Sequence, residues 1–205
     1  MTRRLPAALV AAVLLGGLLS GLLTGCGSDS QAPGDAKVEV DTPQLRQIKQ
    51  AAGIEDCQPG TADGGLPEVT LPCLGGGPDV DLATLKGPMI VNLWQSYCAP
   101  CRKEMPALQE FYEKHGDAVP VLGIDTADMQ PQAALEFAKK VGVTYPLLAD
   151  PGGDLSGQKP FPRIQGYPYL AIIDADGDLA YQQLGGVGSY DELLDLVDAH
   201  LGTDL

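Results

Sequence analysis

The chain has 205 residues and a formal charge of −14, from 27 acidic and 13 basic side chains. A protein this acidic is not expected to bind nucleic acid or an anionic lipid surface through its overall field. The acidic residues are spread over many segments, which indicates a solvated surface around one ordinary globular domain with its own core.

Residues 1–25 are predicted to be a signal segment and not part of the fold. Two arginines precede an almost wholly apolar or small stretch, Leu5 to Leu23, which is the layout of a secretory signal. The tetrapeptide Leu23-Thr24-Gly25-Cys26 resembles the bacterial lipobox, so Cys26 is the expected lipidation site. A transmembrane anchor is the alternative, because the apolar stretch is long enough to span a bilayer. Both interpretations place the remaining chain on the extracytoplasmic face of the cell membrane.

Residues 26–41 are polar and aperiodic, which predicts a flexible tether. The domain is predicted to follow over residues 42–205, with its core over about 66–201. Pro43 to Ala52 is expected to form a short helix. Without residues 1–25 the chain keeps 11 basic and 27 acidic residues, so the mature protein has a formal charge of −16.

Cys57 and Cys73 are predicted to form a structural disulfide that ties down an N-terminal hairpin. If Cys26 is lipidated, four cysteines remain in an oxidising compartment, an even number. Closing the loop of 16 residue steps is worth on the order of 3 kcal/mol. A four-cysteine zinc site is the alternative, but the chain has a single Cys-x-x-Cys. Between and after these cysteines lie a short strand at Glu68 to Leu71 and a Gly75-Gly76-Gly77 turn, which lacks the residues of a phosphate loop.

The rest of the chain alternates strand and helix patterns. The predicted elements are a buried strand over Met89 to Trp94, a helix over Ala99 to Lys114 kinked at Pro106, a strand over Val119 to Ile124, a helix from Pro131 to Gly142, a short extended piece over Pro146 to Ala149, strands over Pro168 to Ile173 and Leu179 to Leu184, and a last helix capped by Ser189. The order β-α-β-α-β-β-α predicts an α/β fold with a central mixed sheet covered on both faces.

Two cysteines, Cys98 and Cys101, lie where the buried strand meets the first long helix. Unpaired backbone N–H groups and the helix dipole favour an anion at a helix N-terminus, so Cys98 is expected to be a reactive thiolate. Cys101 lies on the same helix face and is close enough to form a disulfide with it. A structural disulfide or half of a zinc site could use the same spacing, but the strand–CxxC–helix context favours redox chemistry.

This pattern resembles the thioredoxin fold, and more closely its TlpA/ResA-like branch of exported, membrane-tethered thiol–disulfide oxidoreductases. The motifs that carry the resemblance are Val91-Asn92-Leu93-Trp94, the run Cys-Ala-Pro-Cys-Arg-Lys-Glu-Met-Pro at 98–106, Gly123-Ile124-Asp125 and Gly166-Tyr167-Pro168. The resemblance implies that Cys98 is the nucleophile, Cys101 the resolving thiol and Pro168 a cis-proline facing the disulfide. It also implies that partner proteins meet a set of residues around the pair, namely Trp94, Tyr97, Ala99, Pro100 and Tyr167.

Two departures from the family pattern bear on the chemistry. The buried Asp of cytoplasmic thioredoxins is replaced by Asn92, which cannot take a proton. Glu104 corresponds to a buried glutamate of the ResA-like proteins, and burial would raise its pKa and let it accept the Cys101 proton. The alternative is an exposed glutamate paired with neighbouring basic residues. Tyr97 stands where the family usually has Trp, so the surface that a partner meets is altered.

The resemblance implies reduction of disulfides in exported proteins, such as apocytochrome c before haem attachment, and resetting by a membrane thiol–disulfide electron-transfer protein. The dithiol itself is the redox group, so no metal and no other cofactor are expected.

Three other functions compete with this interpretation. The first is an oxidant or isomerase for secreted proteins. The second is a thiol peroxidase, whose Thr-x-x-Cys setting Ser96 and Tyr97 do not provide. The third is an extracytoplasmic copper-binding chaperone, which would need Cys-x-x-x-Cys and a distant histidine, whereas His115 and His200 lie in predicted helices outside the site.

Overall fold

The structure is a computed structural model that describes residues 38–205. The predicted signal segment, Cys26 and the tether as far as residue 37 lie outside the described residues. Across residues 38–205, no helix combines the length and the apolar character needed to cross a membrane. The elements in chain order are α1 (Pro43–Ala52), β1 (Thr70–Leu71), β2 (Val80–Asp81), a short 3-10 helix (Leu82–Thr84), β3 (Met89–Trp94), α2 (Ala99–His115), β4 (Val121–Thr126), α3 (Pro131–Val141), β5 (Leu147–Asp150), β6 (Tyr169–Ile173), β7 (Leu179–Leu184) and α4 (Tyr190–Leu201).

The central sheet has the strand order β5-β4-β3-β6-β7. Strands β3, β4 and β5 run parallel, whereas β6 pairs antiparallel with β3, and β7 pairs antiparallel with β6. The predicted α/β fold with a central mixed sheet is therefore confirmed.

One strand was missing from the predicted order. The short extended piece near Leu147 is the edge strand β5, with Leu148 opposite Ile124 on β4. Four residues are too few to show a strand period, so only the pairing with β4 defines this element.

The two faces of the sheet are covered differently. Every residue of β3 is buried, and successive side chains point to opposite faces. Ile90 and Trp94 belong to a core cluster that includes residues of all four helices. Val91 and Leu93 belong to a second cluster, formed with the N-terminal hairpin and the loop between β5 and β6. Helices thus cover one face, and the hairpin and this loop cover the other.

The N-terminal hairpin is present but shorter than expected. Only Thr70 and Leu71 of the predicted strand pair with β2, in antiparallel register. Cys73 follows directly and forms an isolated bridge with Leu148 on β5. A disulfide between Cys57 and Cys73 links the segment before the hairpin to this bridge.

Helix boundaries follow local capping signals. Helix α1 spans the predicted residues and begins after Thr42, whose hydroxyl accepts the Leu45 N–H at 3.2 Å. Ser189 caps α4 in the same way through the Glu192 N–H, as predicted. Helix α2 is continuous through Pro106.

Candidate active site

Strand β3 and helix α2 present the two cysteines at the carboxyl edge of the central strand. Cys98 is the N-cap of α2, and the Cys101 backbone N–H donates to its Sγ at 3.2 Å. The two sulfurs are joined at 2.07 Å. Cys98 is half-buried, whereas Cys101 is fully buried. A substrate can therefore reach Cys98 first, and the N–H that faces its sulfur stabilises a thiolate there.

A second segment approaches Cys98 from the start of β6. The carbonyl oxygen of Tyr167 lies 3.4 Å from Cys98 Sγ, and the Tyr167–Pro168 peptide is cis, as the resemblance implies. Pro168 is buried and Tyr167 is half-buried. The antiparallel pairing of β3 with β6 positions this segment beside the disulfide.

Glu104 lies one turn after Cys101 on the same helix and is 1% exposed. The Asn92 side-chain amide donates to its Oε1 at 2.7 Å, and among the described residues Oε2 has no hydrogen-bond partner. Burial raises the pKa of Glu104 from 4.5 to about 7, while the hydrogen bond from the Asn92 amide opposes this shift. The structure places Glu104 in the core, one turn from Cys101, and not on the surface beside basic neighbours.

The predicted partner-contacting residues separate into two groups. Tyr97 is 57% exposed, and Ala99 and Pro100 are also exposed beside Cys98. Trp94, by contrast, is fully buried, with its ring 6.2 Å from the Phe137 ring. The assignment of Trp94 to the partner-contacting surface is therefore wrong. Side chains alternate between the two faces of a strand, and Trp94 lies on the same face of β3 as Ile90, so its indole points into the helix-covered core.

Sequence reasoning assigned no role to two buried carboxyl groups in and just after β4, one of which supports the loop before Cys98. Asp128 Oδ2 accepts the Ser96 backbone N–H at 2.7 Å, and its Oδ1 accepts the Gln130 N–H at 2.8 Å. Asp125 lies opposite Trp94 on β4 and is buried. Burial, with the nearby Asp128 charge, raises the pKa of Asp125 well above its usual range. An acid within the apolar run of β4 was the available signal.

The Cys57–Cys73 disulfide lies away from the Cys98–Cys101 pair, on the other side of the sheet. Both cysteines belong to the core cluster on the hairpin-covered face, whereas Cys101 belongs to the helix-covered one. Over residues 38–205, no three His, Cys, Asp or Glu side chains lie together in an arrangement that could hold a metal ion.

The comparisons with known proteins agree with this geometry. Residues 64–182 match the model of the AhpC/TSA family. The chain is 31% identical over 138 residues to sporulation thiol-disulfide oxidoreductase A of Bacillus subtilis, covering 66% of this chain and 79% of that protein. It is 32% identical over 111 residues to thiol-disulfide oxidoreductase ResA of Bacillus thuringiensis, covering 53% of this chain but only 62% of that relative's length. The crystal structure of a DsbF homologue from Corynebacterium diphtheriae is 30% identical, with a TM-score of 0.59, covering 65% of this chain and 85% of that one.

Proposed function

This chain belongs to the AhpC/TSA family of thioredoxin-like proteins, and from that premise we propose that it catalyses thiol–disulfide exchange through Cys98 and Cys101. The observation that carries the proposal is the position of Cys98. It is accessible, it caps the N-terminus of α2, and it is bonded to a buried cysteine that has a protonatable carboxyl group one turn away.

The proposed reaction has two steps. The Cys98 thiolate attacks a substrate disulfide, which gives a mixed disulfide and releases one substrate sulfur as a thiolate. Cys101 then loses its proton to Glu104 and attacks Cys98 Sγ, which releases the second substrate sulfur. The substrate gains two electrons, and the pair ends as the disulfide that the structure contains. Asn92 orients Glu104 for this proton transfer through the hydrogen bond to Oε1.

We further propose that the domain acts outside the cytoplasm, held at the membrane by a lipid on Cys26 at the end of the tether. The composition of residues 1–26 supports this, as do the four remaining cysteines. Labelling cells with a radioactive fatty acid tests the anchor. We expect label on the wild-type chain and none on Cys26→Ala, and equal labelling of both would contradict it.

The substrates we propose are disulfides in exported proteins, with apocytochrome c as the first candidate, and a membrane thiol–disulfide protein as the source of electrons. A reductant of this kind requires a low potential. We therefore expect the Cys98–Cys101 pair to have a reduction potential near thioredoxin's, about −270 mV, in equilibrium with a dithiol buffer. A value near −120 mV would instead identify an oxidant of secreted proteins.

A trapping experiment tests the assigned roles of the two cysteines. Cys101→Ser should accumulate a mixed disulfide between Cys98 and a peptide disulfide substrate, detected by mass, because no resolving thiol is present. Cys98→Ser should give no adduct, because Cys101 is buried. An adduct on Cys101 would overturn the assignment.

A further inference from the structure

Lys49 on α1 places a buried ammonium group against the second disulfide. The residue is 4% exposed, and its Nζ lies 3.3 Å from Cys73 Sγ. The same nitrogen donates to the Gly76 carbonyl oxygen at 2.6 Å and to the Asp56 carboxylate at 2.8 Å. Asp56 is 71% exposed, so solvent weakens its compensation of the buried charge. A cation of this kind is favourable beside an anion, and a disulfide sulfur carries no charge.

The two sulfurs of this disulfide have opposite surroundings. Cys73 Sγ faces two donors, the Lys49 ammonium group and the Cys57 backbone N–H, each at 3.3 Å. Cys57 Sγ lies 3.3 Å from an acceptor, the Leu147 carbonyl oxygen. Donors stabilise a thiolate, whereas an acceptor stabilises a protonated thiol. Reduction would therefore leave Cys73 as the anion and Cys57 as the thiol.

The turn Gly75-Gly76-Gly77, to which sequence reasoning assigned no function, encloses the Lys49 side chain and the Cys73 sulfur. A Cβ on Gly77 would lie 3.2 Å from Cys73 Sγ and 3.5 Å from Lys49 Nζ, and one on Gly75 would lie 3.0 Å from Lys49 Cβ. Both glycines have positive φ, 78° for Gly75 and 128° for Gly77. The backbone can thus close around the ammonium group and present the Gly76 carbonyl only because these positions lack side chains.

An apolar groove of about 310 Å³ reaches the disulfide from the side of Cys57. It lies at the amino ends of β3, β4 and β5, whereas Cys98 follows the carboxyl end of β3. Its wall includes Cys57 but not Cys73, and its apolar lining includes Val80, Leu85, Met89, Leu122 and Pro146. Cys57 is 1% exposed, so the groove wall must open before a thiol can attack its sulfur, and the sulfur displaced by that attack is the one next to Lys49.

We propose that Cys57–Cys73 is a second redox centre, in which Lys49 stabilises Cys73 as the leaving thiolate. The electrons come from a dithiol. One of its thiolates attacks Cys57 Sγ, the bond to Cys73 breaks, and Cys73 leaves with the electron pair. The second thiol of the dithiol then attacks the sulfur bonded to Cys57, and Cys57 leaves and takes up one proton. The dithiol becomes a disulfide, the protein gains two electrons, and the dithiol's other proton goes to solvent.

The test isolates this pair in the full chain carrying Cys26→Ser, Cys98→Ser and Cys101→Ser. The protein is equilibrated with reduced and oxidised dithiothreitol, and the reduced fraction is counted by alkylation and mass. We expect a potential above about −300 mV, the upper bound of reduction-resistant structural disulfides. Adding Lys49→Met should lower the equilibrium constant for reduction at least about tenfold, which is about 30 mV. The matched control is Lys140→Met, an exposed helical lysine, which should leave the constant unchanged.

A second variant acts in the opposite direction and does not disturb the core. Asp56→Asn removes the carboxylate that shares the ammonium group, so it should raise the equilibrium constant for reduction. If Lys49→Met does not fold, the equilibrium constant measured for Asp56→Asn still tests the proposal. The proposal is overturned by a potential below about −300 mV in the parent, or by no change in either variant. Peptide reduction by the chain with Cys57→Ser and Cys73→Ser reports on the Cys98–Cys101 pair, so the two proposals fail independently.

Discussion

Glu104 is the side chain that accepts the Cys101 proton in the proposed mechanism. It is buried against Asn92, and its pKa of about 7 lies above the 4.5 of an unburied glutamate. An acid with a raised pKa in the folded state binds more protons when folded than when unfolded. The free energy of unfolding must therefore fall as the pH rises between these two values.

We predict that Glu104→Gln removes this pH dependence from the oxidised protein. The shift corresponds to on the order of 3 kcal/mol, present in full below the unfolded pKa and lost as the pH rises through the folded one. Urea unfolding of both proteins from about pH 4 to about pH 8 measures it, and the variant should gain relative to wild type by that amount. Glu110→Gln, an exposed carboxyl on the same helix, is the control. Parallel curves for wild type and Glu104→Gln would contradict the assignment.

Gly186 forms the wall behind this carboxyl group. It has a φ of +74°, and a Cβ there would clash with Glu104 Oε2 and lie 2.7 Å from Pro168 Cγ. We predict that Gly186→Ala lowers the free energy of unfolding by about 3 kcal/mol, through backbone strain and overpacking together. Gly202→Ala is the matched control, because Gly202 has a φ of +66° with nothing near the added carbon. It should cost only about 1 kcal/mol. If denaturant unfolding shows equal losses of stability for the two variants, the added methyl group at Gly186 is not crowded by Glu104 and Pro168.

Helix α2 and helix α3 are connected to the active-site loop through Arg102. Its Nε donates to the Ser96 carbonyl oxygen at 2.7 Å, and its guanidinium group lies 4.7 Å from the centre of the Phe137 ring on α3. Asp128 holds the N–H of the same Ser96 from the end of β4. The loop before Cys98 is thus bound on both sides of one residue by different elements.

We predict that Arg102→Met lowers the free energy of unfolding by about 2 kcal/mol, because it leaves the Ser96 carbonyl without its charged donor and removes the cation–π contact. Lys103→Met is the control, since it removes the same charge from the next, exposed position and should change stability by less than about 0.5 kcal/mol. Urea unfolding of the oxidised proteins measures both. A loss of the same size in the two variants would mean that charge alone, and not the contact, is responsible.

The charge of the chain after residue 25 acts over longer distances than any of these contacts. Eleven basic and 27 acidic residues remain after residue 25, and the acidic ones are spread over many segments of the chain. Such a field attracts cationic substrates and repels anionic ones without defining a binding site.

We predict that the rate constant for reduction of a lysine-flanked peptide disulfide falls several-fold when the ionic strength is raised from about 0.01 to about 0.15 M, because salt screens the attraction. A glutamate-flanked peptide should react faster over the same range, and an uncharged peptide of the same length is the control. Stopped-flow fluorescence gives the rates. The same salt dependence for all three peptides would rule out steering.

Much of the fold could be predicted because its signals are local. Helix α1 was predicted with its observed bounds, and Ser189 was identified as the cap of α4, since capping and 3.6-residue periodicity act within a few residues. Strand β5 was missed as a strand for the complementary reason, because its identity depends on pairing with β4.

The amino-acid sequence alone determined that a Cys-x-x-Cys pair stands at a strand–helix junction, because that arrangement is written within a dozen consecutive residues. Only the tertiary structure decided which side chains surround each sulfur. It turned Trp94 into the core and placed Asp128 under Ser96, 32 residues away. It also brought Lys49 to Cys73 across 24 residues. These contacts arise from the packing of separate elements, and burial then sets the charge that each group carries.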